Sequence, residues 1–199
     1  MDNSLNLSNR RGGVWVRSAT LKPMQVRSIG VFYGSTTGNT EEAADEITRV
    51  LCEGSDANVR AISVSGTDPS KLFEFDALVL GCPTWDDGQL QCGWECFLRR
   101  MGELQLDGKP VAFFGSGDSL CYPETFQDAQ GILAAEFRRR GARLIGSWPT
   151  EGYTFNASRG VENGRFFGLA LDTDDAWSLT RSRIATWSTQ LLSELACLP

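Results

Sequence analysis

The chain has 199 residues, of which 41% are hydrophobic, and a formal net charge of −6. This length suits one domain with a sizeable core, and no run approaches the roughly 18 consecutive apolar residues that a membrane helix needs, so we expect a soluble protein without membrane insertion. The negative charge disfavours nucleic-acid partners, and the complete lack of histidine excludes serine–histidine and histidine–metal catalysis.

The six cysteines form no C-x-x-C pair, and the spacing of Cys92 and Cys96 does not suit a zinc site. Without an evident secretory signal, free thiols in a reducing compartment are expected. We therefore predict no metal site, and any catalysis must come from a cofactor or from carboxylates.

The predicted elements alternate between strand and helix from residue 29 onward. Short apolar runs predict strands, and apolar residues at helical spacing predict helices. The expected strands are 29–33, 59–64, 77–81, 111–114 and 144–148, and the expected helices are 40–53, 94–101, 126–137 and 184–195. A polar, glycine-bearing loop over 149–167 interrupts this rhythm.

Alternation of this kind favours a doubly wound α/β fold, a parallel sheet with helices on both faces. Ligands of such folds bind outside the carboxyl ends of the strands. Three loops leave those ends, at Ser35–Thr40, Pro83–Gly93 and Ser116–Thr125, and they contain the most unusual residues of the chain.

The loop from Gly34 to Thr40 joins the first strand to the first helix and is rich in hydroxyl groups. Backbone N–H groups at a helix N-terminus bind anions, and this loop lacks the lysine of a Walker A motif. No G-x-G-x-x-G fingerprint follows the strand either. The loop is therefore either a neutral site for a bound, untransferred phosphate or a turn that only caps its helix.

The other two loops each contain one large aromatic residue, Trp85 and Tyr122. A flat heterocycle held between these rings would gain about 1 kcal/mol per ring beyond the burial of area. The alternative is that both rings fill the interiors of their loops.

These three loops together resemble the flavodoxin family, and specifically its long-chain type. The segment from Ser35 to Thr40 is similar to the family's T-x-T-G-x-T loop, Gly81 to Trp85 is similar to its first flavin loop, and Gly115 to Asp118 with Tyr122 and Phe126 to Ala129 is similar to its second. The resemblance covers about residues 27–199. The loop over 149–167 is similar to the insertion that splits strand five in long-chain members.

The resemblance implies a flavodoxin-like five-stranded parallel sheet of order 2-1-3-4-5, an order for which the family is a standard example. It also implies non-covalent FMN, with the isoalloxazine between Trp85 and Tyr122, Asp118 at the polar edge of the ring and Thr84 at the ribityl chain. The residues expected to bind the cofactor are Ser35, Thr36, Thr37, Gly38, Asn39, Thr40, Pro83, Thr84, Trp85, Asp86, Asp87, Gly88, Ser116, Gly117, Asp118, Tyr122, Thr125, Phe126 and Gln127.

The function that the resemblance implies is low-potential, one-electron transport by a monomeric carrier that is not an enzyme. The expected partners are basic redox proteins: photosystem I or another low-potential donor, and ferredoxin–NADP reductase or nitrogenase as acceptor. Two alternatives remain at this stage: an FMN-dependent quinone or nitro reductase of the same fold, and a cofactor-free interaction module.

Residues 1–26 lie outside the resemblance and are basic, with Asp2 as their only acid. We expect a disordered extension preceding an FMN-binding domain at 27–199, either as a transit peptide or because Met24 is the true start. The expected compartment is accordingly the plastid stroma or the bacterial cytoplasm.

Overall fold

The computed structural model describes residues 26–198, in which strands and helices alternate as predicted. The strands are β1 (Ser28–Tyr33), β2 (Asn58–Ser63), β3 (Ala77–Gly81), β4 (Thr84–Trp85), β5 (Gln89–Leu90), β6 (Pro110–Gly117), β7 (Arg143–Leu144), β8 (Trp148–Pro149), β9 (Val161–Glu162), β10 (Arg165–Phe166) and β11 (Leu169–Asp172). The α-helices are α1 (Asn39–Gly54), α2 (Cys92–Met101), α3 (Asp128–Arg139) and α4 (Trp177–Ala196), and a 3-10 helix spans Pro69–Glu74.

The main sheet is parallel, in the order β11-β6-β3-β1-β2, with β7 also paired to β6. β7 pairs with the start of β6 at Pro110–Val111, and β11 pairs with its end at Phe114–Gly117. The two short strands therefore share the fifth position of the sheet, and the chain between them is an insertion. The predicted order 2-1-3-4-5, with strand five split, is confirmed.

Helices cover both faces of this sheet, as the fold class requires. On one face α1 and α4 bury apolar side chains such as Ile47 and Trp187, and on the other α2 and α3 bury Trp94 and Phe137. β3 lies in the middle and is buried along its whole length, which explains its uninterrupted apolar sequence.

Several elements differ from the sequence prediction, and α4 begins at Trp177, seven residues before the predicted start. β6 continues through Gly115–Gly117, which we expected to lie in a loop. The fifth strand predicted over 144–148 stops at Leu144, because Gly146 adopts a left-handed conformation with φ 75° and Trp148 joins a separate sheet. The 3-10 helix was not predicted.

The insertion between β7 and β11 has a small antiparallel sheet of its own, in the order β8-β10-β9. Its Tyr153, Phe155 and Phe166 form an aromatic cluster with Phe126, at ring-centroid distances of 5.2–6.0 Å. Phe126 lies two residues before the start of α3, so the insertion packs directly against the end of the second predicted flavin loop.

The predicted extension lies outside the described residues except for Val26, which packs against the core on the α1 and α4 face. In the described part of the chain, no helix is long and apolar enough to cross a membrane.

Candidate functional site

The loop between β1 and α1 presents free backbone amides at the start of a helix. Its Gly38 has φ 97° and donates its amide proton to the Ser35 hydroxyl over 3.1 Å. Within residues 26–198, the amides of Thr36, Thr37, Asn39 and Thr40 donate to no protein acceptor, and α1 has no side-chain cap. Free N–H groups at the positive end of a helix dipole suit an anion, and we call residues 35–40 the anion loop.

Hydroxyl groups complete this anion site. Ser35 Oγ accepts from the Gly38 amide, so its own proton is free to donate. Thr40 Oγ1 lies 3.0 Å from Ser116 Oγ in a buried contact, which joins the first turn of α1 to the end of β6. One of these two hydroxyls donates to the other, so one proton of the pair remains available.

Tyr33 closes the other side of the loop by donating to Glu41 Oε1 over 2.8 Å. Burial, together with this hydrogen bond to Glu41, raises the pKa of Tyr33 to about 12. The phenol therefore stays protonated and holds the end of β1 to α1 at neutral pH.

Trp85 lies on a hairpin, because β4 and β5 pair antiparallel on either side of a turn at Asp86–Gly88. Asp86 and Gly88 both have positive φ, of 43° and 90°. A side chain at Gly88 would lie 2.7 Å from Asp128 Oδ2, so this glycine allows the hairpin to approach α3. The Trp85 side chain is left 36% exposed at the mouth of the site.

Tyr122 lies on the loop after β6. Asp118 holds this loop in a turn through two hydrogen bonds. Asp118 Oδ1 accepts from the Cys121 amide over 2.7 Å, and the Asp118 carbonyl accepts from the Tyr122 amide over 3.0 Å. A side-chain hydrogen bond between the Cys121 thiol and Asp118, separate from the amide bond, raises the pKa of that thiol. The Tyr122 ring is 46% exposed.

The loop that contains Tyr122 is held by the insertion. The Pro123 carbonyl accepts from the amides of Asn156 and Ala157, and Asp128 Oδ1 accepts from the Arg159 amide over 2.6 Å. The position of Tyr122 therefore depends on a segment that lies about 30 residues further along the chain.

A cleft with an open volume of about 530 Å³ joins these pieces at the carboxyl end of the sheet. It brings together twelve of the residues predicted from the sequence and one that was missed, Thr173: the lining is Thr37, Asn39, Pro83, Thr84, Trp85, Asp86, Ser116, Gly117, Asp118, Tyr122, Thr125, Phe126 and Thr173.

The other predicted residues lie around the cleft and do not line it. Asp87 is exposed at the hairpin tip, Gly88 is buried against Asp128, and Gln127 is fully buried behind β6, where its amide donates to the Leu171 carbonyl. The remaining four belong to the anion loop next to the cleft: Ser35, Thr36, Gly38 and Thr40.

Among residues 26–198, no lysine or arginine lines the cleft, while the carboxylates of Asp86 and Asp118 do. Burial raises the pKa of Asp174, and repulsion from the nearby Asp118 carboxylate adds to the rise. Asp118 itself lines the cleft. The loop from Ser35 to Thr40 is therefore neutral and the carboxylates beside it are negative, so its donors are backbone amides and hydroxyl groups and not charged side chains. Among the described residues, no cluster of three or more side chains suits a metal ion.

Sequence reasoning missed two residues of the site. Thr173 follows β11, and its amide donates to the Gly117 carbonyl over 2.9 Å, so the rule for carboxyl ends of strands applies to it as well. Gln91 contacts Thr36 of the anion loop from a position 55 residues away, and nothing in the sequence pattern indicated that contact.

Comparison with known proteins agrees with this geometry. A family model described as flavodoxin matches residues 31–187. The flavodoxin of Synechocystis sp. is 43% identical over 163 residues, which cover 82% of this chain and 95% of that protein. Flavodoxin 2 of Escherichia coli is 39% identical over 171 residues, with coverage of 85% and 97%.

Solved structures show the same fold. The crystal structure of Fusobacterium nucleatum flavodoxin bound to flavin mononucleotide superposes with a TM-score of 0.77 at 29% identity. The match covers 84% of this chain and 98% of that one.

Proposed function

This chain belongs to the flavodoxin family, and we propose that it carries electrons one at a time between larger redox proteins, with FMN held non-covalently in the cleft between Trp85 and Tyr122. The observation that carries the proposal is a neutral, amide-rich anion loop that opens directly into an aromatic cleft. Membership of the family decides against the reductase and the cofactor-free module.

The anion loop fits the terminal phosphate of FMN. The free amides of Thr36, Thr37, Asn39 and Thr40 provide donors, as do the hydroxyls of Ser35 and Thr40, while a phosphate ester near neutral pH provides acceptors. Because the loop has no lysine, it binds a phosphate that stays in place.

The walls of the cleft fit a flat heterocycle. Trp85 and Tyr122 are both partly exposed, and each has apolar area that a ring can cover. Aromatic stacking adds about 0.5–1.5 kcal/mol per pair beyond the burial of area. Asp118 and Thr84 both line the cleft, and we assign Asp118 to the polar edge of the ring system and Thr84 to the ribityl chain.

Bound FMN supplies a centre that accepts and releases single electrons. The residues that line the cleft determine how favourable the added negative charge is. Asp86 and Asp118 line the cleft, and no lysine or arginine within residues 26–198 does, so the two carboxylates oppose the charge and favour a low potential.

The net charge indicates which partners the carrier meets. After residue 27 the chain retains 14 of its 19 basic residues and 24 of its 25 acidic residues, a net charge of −10. Such a surface attracts basic protein surfaces. A low-potential donor such as photosystem I, and ferredoxin–NADP reductase or nitrogenase as acceptor, fit this role, in bacterial cytoplasm or plastid stroma and with the carrier as a monomer.

Flavin content tests the proposed cofactor site. Protein purified from cells is expected to be yellow and to release one FMN per chain on acid precipitation, as measured by absorbance and chromatography. Apoprotein is expected to take up FMN and to bind FAD poorly, because the anion loop suits one terminal phosphate. Recovery of FAD from the protein, or failure of the apoprotein to bind FMN, would contradict the proposal.

Salt dependence tests the proposed partners. Electron transfer from the reduced protein to ferredoxin–NADP reductase, followed by stopped flow, is expected to slow as ionic strength rises, because the Debye length falls from about 10 Å at 0.1 M to about 3 Å at 1 M. Reduction by a small neutral reagent is the control and should change little. A protein–protein rate that is independent of salt would exclude electrostatic steering.

A further inference from the structure

One buried side chain joins the two loops that would hold the cofactor. Gln91 follows β5 of the Trp85 hairpin, precedes α2, and is only 7% exposed. Its Oε1 accepts from the Trp94 amide over 3.3 Å, which caps α2, and its Nε2 donates to Thr36 Oγ1 over 3.2 Å. Gln91 thus connects the hairpin, α2 and the anion loop.

The close approach of these elements depends on Gly34. A Cβ atom there would lie 2.6 Å from Gln91 Oε1 and 2.6 Å from Trp94 Cδ1. The Gly81 carbonyl accepts from both the Gly34 amide, over 3.0 Å, and Trp94 Nε1, over 2.7 Å. The start of the anion loop is therefore held against α2, and Gln91 has little freedom to move.

The cap fixes which way the Gln91 amide faces. A flipped amide would turn its NH₂ group toward the Trp94 N–H and lose the acceptor that caps α2. With Oε1 committed to the cap, Nε2 faces Thr36 as a donor. The Thr36 hydroxyl is therefore an acceptor in this contact, and its single proton must point elsewhere.

We propose that Gln91 is a positioning residue for the cofactor phosphate: by donating to Thr36 Oγ1, it directs the Thr36 hydroxyl proton toward the anion site. A phosphate ester needs donors, and a hydroxyl that is free to rotate would spend part of its time presenting lone pairs. This inference rests on the proposed function, since it assumes that the anion loop binds the FMN phosphate.

Paired flavin titrations test it. Apoprotein of the full chain is titrated with FMN and with riboflavin, which lacks the phosphate, and binding is followed by loss of flavin fluorescence. In Gln91→Met we expect FMN to bind about tenfold more weakly, the scale of one hydrogen bond to a charged group, and riboflavin to change by less than about twofold. In a protein that already has Thr36→Val, adding Gln91→Met should weaken FMN binding by less than about twofold.

Two further variants separate positioning from folding. Gln91→Glu keeps an acceptor for the Trp94 amide, and its carboxylate cannot donate to Thr36, so we expect a loss of FMN affinity at least as large. A buried carboxylate also lowers stability, so unfolding of the apoprotein is measured alongside the titrations. Gln130→Met is the matched control: Gln130 is also buried and bridges α3 to β11, with Nε2 donating to the Leu169 carbonyl and Oε1 accepting from the Gly168 amide. Gln130→Met should lower stability and leave the ratio of FMN to riboflavin affinity unchanged.

The outcomes that would overturn the inference are distinct. If Gln91→Met weakens the binding of FMN and of riboflavin equally, Gln91 supports the whole site and does not act on the phosphate. Unchanged FMN affinity in both Gln91 variants would show that Thr36 is oriented without it. If the wild-type apoprotein binds neither flavin, the proposed function itself fails.

Discussion

Replacing Gly131 with alanine is expected to lower the free energy of unfolding by about 2 kcal/mol, although alanine is the better helix former. Gly131 lies in the first half of α3, where the insertion crosses the helix. A Cβ atom there would lie 2.0 Å from the Arg159 carbonyl oxygen and 2.9 Å from the Gly160 nitrogen. Both atoms belong to the backbone, so the insertion would have to move as a whole.

The expected loss of stability follows from comparing the gain in helix propensity with the cost of overpacking. Glycine in a helix costs about 0.5–1 kcal/mol relative to alanine, which by itself would make the variant more stable. Overpacking typically costs about 1–3 kcal/mol, and a backbone obstacle is expected to cost the upper end of that range. Displacing the insertion also weakens the hydrogen bond from the Arg159 amide to Asp128 and the aromatic cluster around Phe126.

Urea unfolding of the apoprotein, followed by circular dichroism, measures this change without any contribution from bound flavin. Ala135→Gly is the control, because Ala135 is exposed on the same helix and should lose only about 0.5–1 kcal/mol from the change in propensity. The Gly131 variant should also bind flavin more weakly, since the insertion holds the Tyr122 loop through Pro123. A stabilised Gly131→Ala protein would show that the insertion is not packed on α3 as described.

The parts of the fold that the sequence predicts well are those in which one physical requirement determines the residues. β3 is apolar at every position except its final glycine because helices cover it on both faces, and α1 places its apolar residues on the side that meets the sheet. Loops that follow such strands lie at one edge of the sheet, so the sequence predicts that Trp85, Ser116 and Tyr122 lie close together.

The insertion resists prediction because its strands are too short to show periodicity. β8, β9 and β10 have two residues each, and their pairing depends on contacts with Phe126 and α3 that no local pattern encodes. A run such as Leu144–Trp148 satisfies the strand pattern, yet the chain turns at Gly146, whose carbonyl accepts from Trp187 Nε1 over 2.7 Å. That hydrogen bond spans 41 residues and is set by tertiary packing.

Gln91 escaped prediction for a different reason. Glutamine is not among the preferred N-cap residues, so nothing indicated that α2 starts immediately after it. Its donor and acceptor act on elements far apart in the sequence, and only the folded chain brings Thr36 within reach.

Removing the two aromatic side chains of the cleft is expected to produce the largest loss of cofactor affinity. Each ring contributes stacking of about 1 kcal/mol and a similar amount from the apolar area that the flavin covers, so about 2 kcal/mol in total. Since 1.4 kcal/mol is a factor of ten, Trp85→Ala or Tyr122→Ala alone should weaken flavin binding about 30-fold. The double variant should weaken it several hundred-fold or more if the two faces act independently.

The pattern across ligands distinguishes these variants from the Gln91 variants. The rings act on the isoalloxazine, which FMN and riboflavin share, so both flavins should lose affinity by the same factor. Phe73→Ala is the control, because Phe73 is 51% exposed on the 3-10 helix and does not line the cleft. It should leave both affinities unchanged.

Apoprotein stability must stay close to wild type in both single variants, because each ring already faces the opening of the cleft and is partly exposed. A large loss of stability would mean that the rings fill the interiors of their loops, the alternative that the sequence left open. If stability holds but FMN affinity falls less than about threefold in both variants, the flavin does not lie between Trp85 and Tyr122. A loss confined to FMN would place these side chains at the phosphate, and the assignment of the two ends of the cleft would have to be reversed.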